Sequence, residues 1–318
     1  MNLFKRSIFF GLSFLFLSFN SHADVKTDIK VVTTIKPLHS LISRIMETRG
    51  EPQLIIEGTN NPHTFVFKPS HAKMIEEADI IFWIGEDLEA FMEKPLDSLA
   101  EKAQVISFME LSSIEKLKFR EKNIFDDHDG HEDEHEGHDD DHKDAHAHAH
   151  GEFDPHIWLD PENAKEMVKI IRDELIKIDP DGQRQYSVNT AGATLELDNL
   201  INSVEKELSK DISYIVFHDA YQYFENRFGV IPAGALTLNP DVLPGAKQIA
   251  DIQDVINDKG IKCIFSEPQY NPKIIETIGN DMKISTGVMD PLGAYIDAGP
   301  SMYSDLINGI ANSIKDCH

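Results

Sequence analysis

A chain of 318 residues with a formal charge of −25 is too acidic to seek nucleic acid or an anionic membrane surface. Thirteen acidic residues fall between Glu121 and Glu152 against only Lys122 and Lys143, so about eleven of the surplus charges sit in one short segment. The remainder is an ordinary, moderately acidic protein, long enough for two domains.

The chain opens MNLFKRSIFFGLSFLFLSFNSHADV. Lys5 and Arg6 precede an apolar run from Ile8 to Phe19, and Ser21 and Ala23 supply the small residues of a cleavage site. That is the pattern of a secretory signal peptide over residues 1–23, cleaved after Ala23, and the run is too short to span a bilayer. No cysteine follows the junction to carry a lipid, and no later run is long enough for a membrane crossing. The mature chain is therefore expected to be exported, soluble and not inserted in the membrane.

From Ile29 onward short β-branched runs alternate with helical ones. "IKVVTTI", "PQLIIEG", "DIIFWIG" and "AQVISF" read as strands. Between them "PLHSLISRIM", with Pro37 in its first turn, and "KPSHAKMIEEA" read as helices, as does "DLEAFMEKPLDSLAEK" up to a break near Pro95. Order resumes at "FDPHIWLDP", where Asp160 is placed to cap an amphipathic helix beginning at Pro161. After a "DPDG" turn, the 28 residues from Gln183 to Lys210 run on without proline, a helix of roughly 40 Å. The alternation then returns through the strands "DISYIVF", "VIPAGALTL", "IKCIFS" and "KISTGVM", each followed by a helical stretch. Strand and helix taking turns predicts an α/β protein with mostly parallel sheets. We expect two βα lobes, residues 24–180 and 211–318, joined by a long rigid linking helix over 181–210.

Two cysteines, Cys263 and Cys317, are present. In an exported chain an even pair reads as a disulfide before it reads as a metal site.

Eight of the fifteen histidines crowd between Asp126 and His150: His128, His131, His135, His138, His142, His146, His148 and His150. With no core-forming residues between Asp126 and Gly151 and dense like charge, the loop over residues 121–152 is expected to be disordered and to gather metal only as an accessory. Of the others, His22 and His318 belong to the ends, and His39 and His71 fall inside helices. His63, His156 and His218 lie in loops or directly after a strand, and Asp290 follows the last strand. In open α/β sheets ligands bind beyond the carboxyl ends of strands, so these four can converge between the lobes. Three imidazoles and one oxygen complete a tetrahedron suited to Zn²⁺. Spacing alone leaves the alternative of ordinary loop histidines open.

The segments "TTIKPLHSLI", "NPHTFVFKPS", the acidic histidine-rich insert, "DPHIWLDPENA", "VFHDAYQYF", "FSEPQ" and "DPLG" resemble one family over nearly all of residues 24–318. It is the metal-binding receptors of ABC transporters, in their zinc branch (the ZnuA type). The resemblance implies a periplasmic receptor, not an enzyme and expected to be a monomer, that binds zinc in the cleft and hands it to an inner-membrane ABC permease. It places metal ligands at His63, His156 and His218, and a disulfide at Cys263 and Cys317. In manganese relatives the third position is commonly glutamate, so His218 points to zinc. Some zinc receptors carry a glutamate just before the first histidine; Pro62 stands there, leaving Asp290 or a water as the fourth ligand. From its composition the histidine-rich loop is expected to be a zinc collector or sensor, with a solvated spacer whose metal binding is incidental as the alternative. The rival readings are a manganese receptor of the same family, a metal buffer without a permease, and a zinc hydrolase with Glu267 as its general base.

Overall fold

The computed structural model describes residues 29–125, 151–240 and 242–317. The expected leader with its Ala23 junction and the eight histidines from His128 to His150 lie outside the described residues.

In chain order the first half comprises β1 (Val31–Thr33), α1 (Lys36–Met46), β2 (Gln53–Leu54), α2 (Pro69–Glu77), β3 (Ile80–Trp83), α3 (Glu86–Glu89), α4 (Glu93–Leu99) and β4 (Gln104–Ser107). Two long helices follow, α5 (Pro161–Ile178) and α6 (Gln183–Glu207). The second half comprises β5 (Tyr214–His218), α7 (Gln222–Phe228), β6 (Gly234–Thr237), α8 (Ala246–Lys259), β7 (Cys263–Ser266), α9 (Lys273–Met282), β8 (Ser285–Val288) and α10 (Met302–Lys315). The strands make two parallel four-stranded sheets, ordered β2-β1-β3-β4 and β6-β5-β7-β8. Val31 pairs with Ile80 in the first sheet and Tyr214 with Cys263 in the second. Parallel sheets are covered on both faces, so VVT, IIFW and YIVFH are buried at every position rather than at alternate ones.

The two sheet orders are the same, and each reverses its direction of growth beside its first strand. The crevices fall between β1 and β3 in one sheet and between β5 and β7 in the other. Ligands of open α/β sheets sit at such switch points, outside the carboxyl ends of the strands. The fold thus provides two facing crevices before any site residue is considered.

The long helix α6 holds the back of the molecule. Its 25 residues span about 37 Å. Tyr186, Ala193, Leu197, Leu200 and Val204 form its buried stripe. Arg44 of α1 pairs with Glu196 near its middle, and Lys315 of α10 pairs with Glu207 at its end. Buried residues of both halves belong to one continuous apolar cluster, which includes Val31, Phe82, Tyr214 and Phe265. The backbone N–H of Tyr303 on α10 also donates to Ser40 Oγ of α1 at 3.0 Å. The halves therefore share one core and are tied together along α1, α6 and α10.

Two local features differ from expectation. The helix expected to break near Pro95 breaks earlier, at a 3₁₀ turn over Ala90–Met92. Pro95 is the third residue of α4, where an absent N–H leaves no intrahelical hydrogen bond unmade. Residues 121–125, expected to belong to the disordered loop, instead form an ordered stem that crosses to the second sheet. Ile124 bridges Gly234 in antiparallel fashion, Phe125 N–H donates to Ala233 O, and Ala235 N–H donates to Asn123 O. A Cβ at position 234 would stand 2.5 Å from Asn123 O, so this close approach requires glycine.

Cys263 and Cys317 are disulfide-bonded and join the start of β7 to the residues after α10. Among the described residues no helix is long and apolar enough to cross a membrane.

Candidate metal centre

His156 and His218 are fixed before any ligand arrives. His218 is the last residue of β5, and Glu267 directly follows β7, so the two face each other across the switch point. His218 Nδ1 lies 2.7 Å from Glu267 Oε1. His156 sits in the loop ahead of α5, whose N-terminus is capped by Asp160 as its position in the sequence predicts. Asp154 Oδ1 lies 2.7 Å from His156 Nδ1 and accepts the His156 backbone N–H at 3.0 Å. Both histidines and both carboxylates are buried.

A carboxylate behind each ring selects the tautomer with the proton on Nδ1 and turns the Nε2 lone pair into the cleft. The two Nε2 atoms then face each other at 3.4 Å. His63 completes the group from the other half. It lies on the irregular loop between β2 and α2, half-buried, with its ring centroid 5.5 Å from that of His156 and 6.0 Å from that of His218. One donor atom of each histidine falls within 4.8 Å of the others. The pocket they line has space of about 10 Å³, room for one water-sized body.

Electrostatics favour a cation here. Burial pushes Asp154 up to about 7, against the opposing pull of the His156 backbone N–H and the charges of His218 and Arg120. Burial likewise raises Glu267, partly offset by His218. His156 is driven well below its ordinary value by burial and by the neighbouring His218. Burial also depresses His218, but the charge of Glu267 and its hydrogen bond outweigh this and leave it raised. Two desolvated carboxylates behind the imidazoles make a pocket that gains from positive charge.

The structure brings His63, His156 and His218 together and does not bring Asp290 among them. The Asp290 carboxylate serves its own loop: Oδ1 accepts from Gln269 Nε2 and Leu292 N–H, each at 3.0 Å, and Oδ2 accepts from Ala294 N–H. Glu267, the nominated base of the hydrolase rival, is engaged with His218 through both the ring and the backbone N–H. His39 and His71 have structural partners, Pro52 O for the first and Lys68 N–H for the second.

Several participants escaped the sequence. Asp154 had a signal in the spacing "DPH", an acid two residues ahead of a candidate ligand. Asn61 and Tyr270 meet across the cleft, with Asn61 Nδ2 donating to the Tyr270 hydroxyl at 3.0 Å. Lys36, at the start of α1, crosses to the loop after β8 and donates to Gly293 O, Ala294 O and Ile296 O at 2.8–3.0 Å. Arg120 reaches from the stem of the histidine-rich segment to Asp219, beside His218, and to Glu225.

Known proteins share this arrangement of sequence and fold. Residues 31–317 match the model of the ZnuA family, described as zinc-uptake complex component A, periplasmic. A relative from Brucella abortus (strain 2308), "High-affinity zinc uptake system protein ZnuA", is 45% identical over 303 residues, covering 90% of this chain and 91% of its own. The Yersinia pestis protein of the same name is 32% identical over 294 residues, covering 90% of each. In fold, the chain resembles a crystal structure of ZnuA with a TM-score of 0.73 at 23% identity, over 91% of this chain and 99% of that one. The periplasmic zinc-binding protein TroA from Treponema pallidum superposes with a TM-score of 0.71 at 19% identity, over 91% of this chain and 98% of its own. By the family match and by its identity to these relatives, the chain belongs to the ZnuA family of periplasmic zinc-uptake components, which are receptors rather than enzymes.

Proposed function

We propose that this protein is a high-affinity periplasmic zinc receptor that delivers Zn²⁺ to an inner-membrane ABC permease. The carrying observation is the 3.4 Å between the Nε2 atoms of His156 and His218, both turned inward by buried carboxylates. Tetrahedral zinc with nitrogens at about 2.0–2.1 Å places any two of them roughly 3.3–3.4 Å apart. The same spacing without a cation or a shared proton would set two lone pairs against each other.

His63, His156 and His218 are assigned as zinc ligands. Because the Asp290 oxygens already accept three hydrogen bonds, we assign the fourth position to water and give Asp290 the role of shaping the loop that closes the cleft. An all-nitrogen protein set favours borderline-soft zinc over manganese, which prefers carboxylates. In this reading α6 limits release to small tilts of the lobes, partitioned at residues 24–180, 181–210 and 211–318. Residues 1–23 are removed after Ala23 on export, and the histidines from His128 to His150 collect zinc near the cleft. Release follows when the permease grips both lobes and spoils the ligand geometry.

The test is zinc competition against a chromogenic chelator, with manganese as competitor. It compares the mature protein, a deletion of residues 126–150, and that deletion carrying His156→Ala. One tight zinc site that survives the deletion, resists manganese and disappears with His156→Ala supports the proposal. Loss of tight binding on the deletion alone would move the site to the histidine-rich segment and sink it.

A further inference from the structure

The three histidines are not held alike. His156, in the loop ahead of α5, and His218, at the end of β5, are buried and each backed by a carboxylate. His63 lies on a stretch with neither helix nor strand between Leu54 and Pro69, and the same stretch carries Val66 at 75% exposure. One amide hydrogen-bonds this stretch to the other side of the cleft. Asn61 Oδ1 accepts the backbone N–H of His63 at 2.9 Å, while Asn61 Nδ2 donates to the hydroxyl of Tyr270 at 3.0 Å.

Tyr270 is itself well seated. Its ring stacks on Phe217 at 4.6 Å between centroids, directly before His218, and meets the His218 ring edge-on at 5.7 Å. The hydroxyl is therefore presented from the half of the protein that holds His218, and the amide that receives it fixes the backbone of His63.

We propose that Asn61 and Tyr270 are positioning residues forming a latch on the His63 loop, and that this latch sets the rate at which zinc leaves. With the contact made, His63 is held against the two fixed histidines. When it opens, His63 withdraws first and the ion remains on a two-histidine site from which it escapes readily. Capture depends on the prebuilt pair and is insensitive to the latch. The inference rests on the zinc reading of the site.

The experiment is a chelator chase on zinc-loaded protein followed by stopped flow, with association rates and the melting temperature of the metal-free protein measured alongside. Tyr270→Phe keeps the stacked ring and removes only the hydroxyl. It is expected to speed zinc release roughly three- to tenfold, the size of one hydrogen bond, with association and melting unchanged. Adding Tyr270→Phe to Asn61→Ala should give no further acceleration, and Tyr270→Phe in a His63→Ala background should have no effect. Unchanged release from Tyr270→Phe overturns the latch, and so does equal acceleration with and without His63. A wild type that has no tight site, or whose tight site ignores His156→Ala, overturns the zinc reading and the latch with it.

Discussion

Asp154 and Glu267 stand in equivalent places behind His156 and His218, each 2.7 Å from the Nδ1 of its histidine and each buried. The pairing fixes ring orientation and tautomer, and it raises the basicity of the nitrogen that faces the cleft. Removing the charge while keeping the shape isolates that contribution. Asp154→Asn and Glu267→Gln are each expected to weaken zinc binding about 10- to 100-fold in a competition titration. Asp290→Asn should keep zinc affinity close to the wild type, because the carboxylate is turned onto its own loop; the cost of setting an amide NH2 against a donor N–H falls on loop stability instead. A large loss at Asp290 with none at Asp154 would reverse the assignment of roles.

Arg120 is the support one layer deeper. Its guanidinium donates to Asp219 at 2.7 Å and to Glu225 at 2.8 Å, and both carboxylates are buried. It also stacks 4.2 Å from the ring centre of Phe125, the last described residue before the histidine-rich segment. Removing one partner of a buried ionic network leaves charge without compensation, at a cost of about 3–5 kcal/mol. Arg120 is 23% exposed, which favours the lower end of that range. Arg120→Met should lower the unfolding free energy by about 3 kcal/mol in chemical denaturation. Arg120→Lys, which keeps the charge without the fork, should recover only part of the loss.

The disulfide stabilises the second half without touching the site. Cys263 and Cys317 are 54 residues apart in sequence, and closing such a loop removes unfolded-state entropy worth about 4 kcal/mol. Cys263 begins β7 and Glu267 follows its end, so the bond lies about 13 Å along the strand from the carboxylate behind His218. Cys317→Ser is expected to lower the melting temperature clearly while leaving zinc affinity unchanged. Equal melting curves with and without reductant would show that the bond carries no such load.

Most of the architecture was legible because parallel strands are buried on both faces and appear as short apolar runs between helical stretches. That His63, His156 and His218 can converge was legible for a related reason: a polar residue just past such a run, or in a loop before a helix, is placed at the ligand-binding end of the sheet, and the resemblance to zinc receptors then singled out these three. What could not be read depends on directions across space. Nothing in "VMDPLG" says that the Asp290 carboxylate turns back onto its own loop. Nothing in "EPQY" says that the Tyr270 hydroxyl meets an amide more than two hundred residues earlier. The crossing of residues 123–125 to β6 was hidden by brevity, since it rests on a few hydrogen bonds beside a highly charged segment.

Glu89 gives a test of pH dependence well separated in sequence from the three histidines. It is fully buried at the carboxyl ends of β1 and β3, where Oε2 accepts from Ile84 N–H at 2.9 Å and Gly85 N–H at 3.2 Å. Burial raises its pKa from 4.5 to about 7, against the opposing pull of the nearby Thr34 hydroxyl and the hydrogen bonds of Gly85 and Ile84. The sign follows from proton counting. Below the unfolded value both states hold the proton, and Glu89 imposes no cost. Between pH 4.5 and about 7 the folded state keeps a proton that the unfolded state has lost, so stability falls as pH rises. Above that window the whole penalty is present, on the order of 3 kcal/mol from the size of the shift. Glu89→Gln preserves the acceptor for the two N–H groups and turns its amide toward Thr34 without carrying charge. The unfolding free energy of the metal-free variant, relative to wild type, should therefore grow by about that amount from pH 5 to pH 8. A difference that stays constant across this range would mean that Glu89 ionises without penalty in the folded protein.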